Sequence, residues 1–249
     1  MAFGLTMEKM VPCDALTGKV HSYLQIKAER LTPYPVMPDG TQAIYISSQG
    51  IMIGGAQLEV QDVQLLGPGE YFGIWFYPGT LRYFFDLNLS EITGQFVDEQ
   101  YLQCRHFSRL HIDIYRHKVF SERAKICEKW LLNRYSPKPA TSFDNALHLI
   151  YQSFGGEKIS QLANQVGWSS RHLNRQFLQH TGLSTKSFSQ IVRVQNVARQ
   201  LYLKKNKPLN AGLELGYYDQ PHLIKEFKKH LMSTPGTFIN RFMSDLYNR

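Results

Sequence analysis

Three kinds of residue pattern are missing from this 249-residue chain, and each absence removes a class of function. Cysteine is scarce: Cys13, Cys104 and Cys127 are odd in number and far apart, which argues against a disulfide framework and suits a reducing cytoplasm. Long apolar runs are missing too, since nothing approaches the roughly 18 residues of a membrane span. The N-terminal stretch Met1–Val20 carries Glu8 and Asp14 without a continuous apolar segment, so it does not read as a signal peptide. Catalytic signatures are also lacking. There is no phosphate-cradling Gly loop, no Gly-x-Ser-x-Gly elbow and no evident nucleophile–base pair. Cys104, His106, His111 and His117 invite a metal reading, but their spacing fits neither a zinc finger nor two ligands one helical turn apart. No metal, cofactor or membrane partner is therefore expected.

Acidic side chains are scarce in one half only. Net charge is +8; residues 1–138 hold 14 basic and 14 acidic groups, whereas residues 139–249 hold 14 basic against 6 acidic. A neutral first half joined to a basic second half is the pattern of a chain that meets a polyanion through its second half. An idle basic surface is the plainer alternative, and charge alone does not separate the two.

A duplicated motif does separate them. Gln161-Leu162-Ala163-Asn164-Gln165-Val166-Gly167-Trp168 leads into Ser169-Ser170-Arg171-His172-Leu173-Asn174-Arg175-Gln176-Phe177. Later, Ala211-Gly212-Leu213-Glu214-Leu215-Gly216-Tyr217 leads into Tyr218-Asp219-Gln220-Pro221-His222-Leu223-Ile224-Lys225-Glu226-Phe227. Each copy reads as a short amphipathic helix, a Gly that permits a tight turn, a polar cap and a second helix rich in polar and basic side chains. That is the form of a helix-turn-helix, whose second helix enters the major groove of DNA.

The rest of the chain sorts into two parts, an α+β organisation. Residues 1 to about 90 alternate dense turn signals with short β-branched or aromatic runs, namely 43–46, 51–53, 63–66 and 71–77, which suggests a small β-barrel or sandwich. Asn88–Ile92 looks like a helix start, and from Glu99 to Arg134 apolar residues fall at helical spacing. Ser136-Pro137-Lys138-Pro139-Ala140 is a stiff linker. The expected division is a β-rich domain over 1–136 ending in helices, a linker over 137–142, and an all-α domain over 143–249. Helices are expected over Phe143–Phe154, Ile159–Val166, Ser170–Thr181, Thr185–Lys204, Leu209–Leu215 and Asp219–His230, with a closing turn from Pro235.

Residues 143–242 resemble the DNA-binding domain of the AraC/XylS family of bacterial transcription regulators. The likeness is carried above all by Glu214-Leu215-Gly216-Tyr217-Tyr218-Asp219-Gln220-Pro221-His222 and by Thr234-Pro235-Gly236-Thr237-Phe238. Arg193-Val194-Gln195 stands where a subset of relatives carry Arg-Phe-Gln. The resemblance implies two helix-turn-helices joined by one long helix, here about Thr185–Lys204. The first half resembles the small cupin-like β-barrel sensory domain found in a subset of members, through Met37-Pro38-Asp39-Gly40-Thr41, Gly73, Phe76-Tyr77-Pro78-Gly79 and Ser90-Glu91-Ile92.

Helical spacing puts Arg171, Asn174 and Arg175 on one face of the first recognition helix, with Ser169 or Ser170 as its cap. Arg can pair with both guanine acceptors and Asn bidentately with adenine; the resemblance implies that all three positions contact DNA. In the second helix Asp219 is the expected cap, and Gln220, Pro221, His222 and Lys225 form the exposed face. His222 is open between packing and a phosphate contact. Leu162, Ala163, Val166, Trp168, Leu173, Phe177, Leu213, Leu215, Tyr217, Leu223, Phe227, Phe238 and Phe242 read as core. Lys204, Lys205, Lys207, Lys228, Lys229 and Arg241 read as phosphate or solvent contacts. In the first half, Tyr71, Trp75, Tyr77 and Arg82 either fill a small barrel or line a pocket for a flat or anionic effector.

The expected protein is a cytoplasmic, sequence-specific regulator, more often an activator in this family. Its expected partners are promoter DNA, RNA polymerase, a small effector and a second copy of the chain, with Phe107–Arg134 as the dimer or interdomain surface. Two rivals stand beside it: an enzyme carrying a DNA-binding module, which needs a reactive cysteine, and a constitutive DNA binder with a scaffold barrel.

Overall fold

In the computed structural model, residues 5–102, 107–203 and 212–237 are described. Cys104, His106, Lys204, Lys205, Lys207, Phe238, Arg241 and Phe242, all singled out above, lie outside these residues, as do residues 209–211 of an expected helix. The fold class is α+β, as expected: the strands lie between Leu5 and Asp98, and the α-helices follow from Phe107.

The strands are β1 (Leu5–Met10), β2 (Val20–Ala28), β3 (Thr32–Val36), β4 (Gln42–Ser47), β5 (Gly50–Gly54), β6 (Gln61–Leu65), β7 (Gly69–Phe76) and β8 (Phe96–Asp98). Six of them form one sheet in the order β1-β2-β7-β4-β5-β8, and β3 pairs with β6. The five described pairings in this sheet are all antiparallel, and Ile74 is flanked by Tyr23 on one side and Ile44 on the other. Alternation along β7 buries Phe72, Ile74 and Phe76 and leaves Tyr71 and Trp75 half-buried on the opposite face.

Helices α1 (Phe107–Tyr115) and α2 (Phe120–Leu132) send Phe107, Leu110, Ile114, Phe120, Ala124, Cys127 and Leu131 into the same core as Phe72, Ile74 and Phe76. A buried arginine pins that packing. Arg123 donates through Nη1 to Gln25 Oε1 (2.8 Å) and Glu70 Oε2 (2.7 Å), and through Nε to the His117 carbonyl (2.7 Å). Burial pulls the Glu70 carboxyl upward in pKa, but the hydrogen bonds from Arg123 and Lys27 outweigh it and hold the carboxyl below its ordinary range.

The helices of the second half are α3 (Ser142–Gln152), α4 (Ile159–Gln165), α5 (Ser170–Thr181), α6 (Thr185–Leu203) and α7 (Gln220–Leu231), with a short helical turn over 212–214. The long helix α6 serves two cores. Its first half puts Phe188, Ile191 and Val192 into a cluster with Phe143, Leu162, Leu173 and Phe177. Its second half puts Val194, Val197 and Ala198 with Leu215, Tyr217, Leu223, Phe227 and Leu231.

By contact density the chain forms two compact units. One contains the chain up to Tyr34, Thr41–Gly55 and Asp62–Lys138; the other contains Pro35–Gly40, Ala56–Gln61 and the chain from Pro139. The helical unit thus includes two short segments from the first half of the sequence. Gln195 Nε2 donates to the Pro38 carbonyl (3.0 Å), His230 Nδ1 donates to the Leu58 carbonyl (2.6 Å), and the Val60 amide donates to the His230 carbonyl (3.0 Å). Ala56 joins the first helical cluster and Val60 packs against the second. Gly40 adopts a left-handed φ of +80°, and a Cβ there would lie 2.5 Å from the Phe188 ring.

Candidate nucleic-acid interface

The two helix-turn-helices repeat each other almost bond for bond. After α4, Gly167 takes φ +72°; its amide donates to the Asn164 carbonyl (3.1 Å), and Trp168 N donates to the Ala163 carbonyl (2.9 Å). After the 212–214 turn, Gly216 takes φ +83°; its amide donates to the Leu213 carbonyl (3.2 Å), and Tyr217 N donates to the Gly212 carbonyl (3.0 Å). Both turns need the left-handed region, which glycine enters without a Cβ penalty. The caps repeat as well. Ser169 Oγ accepts from His172 N (3.2 Å) at the start of α5, and Asp219 Oδ1 accepts from His222 N (2.8 Å) at the start of α7. The first cap is therefore Ser169, with Ser170 as the opening helical residue. The second copy holds one extra residue between Gly and cap, and Tyr218, in that stretch, is 89% exposed.

On α5, Leu173 and Phe177 face inward while Arg171 and Arg175 are exposed. Arg175 is oriented: its Nη2 donates to His172 Nδ1 (3.0 Å), and the His172 ring packs edge-on to Trp168 at 4.6 Å. Asn174 is only half exposed, and its Oδ1 accepts from the Thr185 amide (3.1 Å) at the start of α6. Half of its amide group is thus committed to holding the long helix. Ser184 completes that helix start by accepting from Ser187 N (3.0 Å).

On α7, Gln220, Pro221, His222 and Lys225 are all exposed, as are Lys228 and Lys229, whereas Leu223 and Phe227 are buried. Pro221 lies in the first turn, where no backbone donor is required of it. One core expectation fails. Leu213 is 53% exposed, because the helical turn over 212–214 directs Leu215, with Tyr217 just beyond it, into the core instead. The residues whose partnership sequence reasoning passed over are Glu226 and Gln190, which join Arg193 in a polar group behind α7 centred on the buried Glu226 carboxylate. Their only sequence signal is a lone acid in a helix otherwise carrying Lys225, Lys228 and Lys229.

A sequence profile described as a helix-turn-helix domain matches residues 162–241. The probable transcription factor PqrA of Proteus vulgaris is 32% identical over 83 residues, which cover 33% of this chain and 68% of PqrA. The chain belongs to the AraC/XylS family of transcription regulators. An HTH-type transcriptional regulator of Haemophilus influenzae is 34% identical over 80 residues, 32% of this chain and 27% of its own length. YbfI of Bacillus subtilis, also an HTH-type regulator, is 31% identical over 65 residues, 26% of this chain and 23% of its own length. The chain thus spans about a quarter of two of these relatives and about two thirds of the third. Residues 8–98 match a profile described as a domain of unknown function, DUF6597. Among solved structures, ToxT of Vibrio cholerae aligns over 93% of this chain and 96% of its own at 8% identity, with a TM-score of 0.45.

In this AraC/XylS chain the four residues singled out for an effector have separate immediate partners. Trp75 and Tyr77 share a neighbour, since the His21 ring lies 6.0 Å from Trp75 and 5.2 Å from Tyr77, and the Lys9 ammonium stands 5.8 Å from the Trp75 ring centre. Tyr71 donates instead to the Leu66 carbonyl (2.9 Å). The Arg82 guanidinium lies over the Tyr83 ring (5.0 Å) and donates to its hydroxyl (3.2 Å). Among the described residues no group of three or more His, Cys, Asp or Glu is placed to hold a metal, and no helix is long and apolar enough to cross a membrane.

Proposed function

We propose that the chain is a sequence-specific regulator that inserts α5 and α7 into successive major grooves on one face of a promoter duplex. The observation that carries this reading is the repeated turn-and-cap geometry, with Arg171 and Arg175 outward on one helix and Gln220 and Lys225 outward on the other. Helix α6, with 19 residues, spans about 28 Å, comparable to the ~34 Å between grooves one helical turn apart. Arg175 and Arg171 read guanine edges, Gln220 reads a base edge, and Ser170, Pro221 and His222 sit against the backbone. Asn174 has its amide nitrogen free of the Thr185 bond and offers that to the groove. Lys225, Lys228 and Lys229 supply the salt-dependent part of the affinity.

The β-rich half is the seat of control, with a small aromatic or anionic effector held around Trp75, Tyr77 and His21, or with a second copy of the chain as partner. The regulator acts in the cytoplasm, activates transcription through RNA polymerase, and carries out no catalysis. Selection of duplexes from a random library by the full-length protein tests the DNA reading. The expected product is a two-block site with block centres about one helical turn apart; an unenriched pool refutes it. Native mass spectrometry of the gently purified protein tests the sensor: a mass excess lost on denaturation supports an effector, and a clean dimer favours the scaffold alternative.

A further inference from the structure

Glu226 is the only acid in α7, and it is 4% exposed. A buried carboxylate is costly unless every lone pair finds a partner. Here the partners come from three places. Gln190 Nε2 on α6 donates to Oε1 (2.8 Å), Tyr217 OH from the turn donates to Oε2 (2.8 Å), and Arg193 Nη2 on α6 lies 3.5 Å from Oε1. The fourth is His222, one helical turn back on α7, with Nε2 3.3 Å from Oε1. The aromatic ring of Tyr217 braces the set: the Arg193 guanidinium stacks on it at 4.8 Å and the His222 ring meets it edge-on at 5.2 Å.

Packing alone does not call for such a group. A buried ion pair is often no more stabilising than apolar side chains of the same volume, so its retention points to what it orients. Only one of its members reaches well into solvent. His222 is 43% exposed at its side chain, lies in the first turn of α7, and has its amide held by Asp219 Oδ1. A hydrogen on Nε2 directed at Glu226 fixes the tautomer and leaves Nδ1 for an outside partner. The ring is faced by the Glu226 carboxylate and by Tyr217, on which Arg193 stacks; Asp219 holds the His222 amide, and Lys225 follows three residues on along α7.

We propose that Glu226, held by Arg193 and Gln190, is a positioning residue for DNA binding: it turns the His222 imidazole so that Nδ1 meets a backbone phosphate beside the second recognition helix, and binding takes up a proton there. This inference rests on the reading that α7 enters the groove. A neutral Nδ1 carries a lone pair and repels a phosphate oxygen; a protonated one donates to it.

The test uses the full-length protein, its selected duplex and fluorescence anisotropy between pH 8 and pH 6 at fixed ionic strength. Wild type is expected to bind about tenfold more tightly at pH 6 than at pH 8, as when one proton is taken up on binding over about half of that range. His222→Gln is expected to abolish most of that gain. Glu226→Gln, which keeps the volume and most hydrogen bonds, is expected to flatten the profile as well and to weaken binding at pH 6 about tenfold. It should leave the base preference at the first block unchanged. A Glu226→Gln variant with the wild-type pH profile, or a His222→Gln variant that still tightens tenfold, overturns the proposal. If Glu226→Gln melts below the assay temperature, His222→Gln, a surface change, decides alone. Failure of wild type to select any duplex is a different result and removes the DNA reading itself.

Discussion

Replacing Gly40 by Ala asks whether a segment from the first half of the sequence is part of the helical unit. The cost has two parts. Gly40 sits at φ +80°, where any L side chain costs about 1–2 kcal/mol. The new Cβ also meets Phe188, at 2.5 Å from Cε2 and 3.1 Å from Cδ2. That ring has little freedom to yield, because it is fully buried and packs against Tyr151 (5.9 Å) and Phe177 (5.5 Å). Overpacking of this kind costs about 1–3 kcal/mol more. Gly167→Ala is the matched control: it lies in the same unit at φ +72° with nothing within 4 Å of its would-be Cβ. Urea unfolding followed by helical ellipticity should therefore show Gly40→Ala less stable than Gly167→Ala by about 1–3 kcal/mol, with the loss in the transition of the helices. Equal losses in the two variants would refute the packing of residues 35–40 on α6.

Arg175→Ala and Gln220→Ala should each relax base preference in one block of the selected site at a cost of about 1–3 kcal/mol, measured by competition with singly substituted duplexes. Lys228→Ala should weaken all duplexes alike and reduce the slope of log affinity against log salt by about one, with unchanged preference. His230 gives a pH prediction. Burial pushes its imidazole pKa below the usual value, despite its hydrogen bond to the Leu58 carbonyl. The folded protein therefore resists a proton that the unfolded chain accepts. Stability from this group is present above the unfolded value near 6.5 and is lost as pH falls below it. Thermal melts from pH 7.5 to 5 should fall less steeply in His230→Gln than in wild type; parallel curves would count against this assignment.

The helices of the second half were legible because each is bounded by residues whose chemistry is local. Gly167 and Gly216 turn, Ser169 and Asp219 cap, and the apolar spacing does the rest. Helix α5 begins and ends where that spacing puts it, at Ser170 and Thr181. The central strand β2 was not legible, since His21, Ser22 and Gln25 are buried beside Tyr23 and Leu24 and erase the two-residue alternation. Helical spacing also cannot report which outward polar side chain has a backbone partner. Asn174 looks like Arg175 on a helical wheel, yet it serves Thr185, eleven residues on. Glu226 was overlooked for the converse reason: an acid among lysines reads as a solvated surface, and its partners on α6 lie more than thirty residues earlier in the chain.

The chain enters the helical unit at Pro35, leaves after Gly40, returns at Ala56, leaves again after Gln61, and comes back for good at Pro139. Inheritance feels this threading. A recombination event in the linker near Lys138 would exchange the whole first half and with it Pro38, Leu58 and Val60. Gln195, His230 and the backs of α6 and α7 would then meet foreign loops. The evolutionary unit is thus larger than the helix-turn-helix stretch. Successful chimaeras of this regulator should be those that carry residues 35–40 and 56–61 along with the helices they cap.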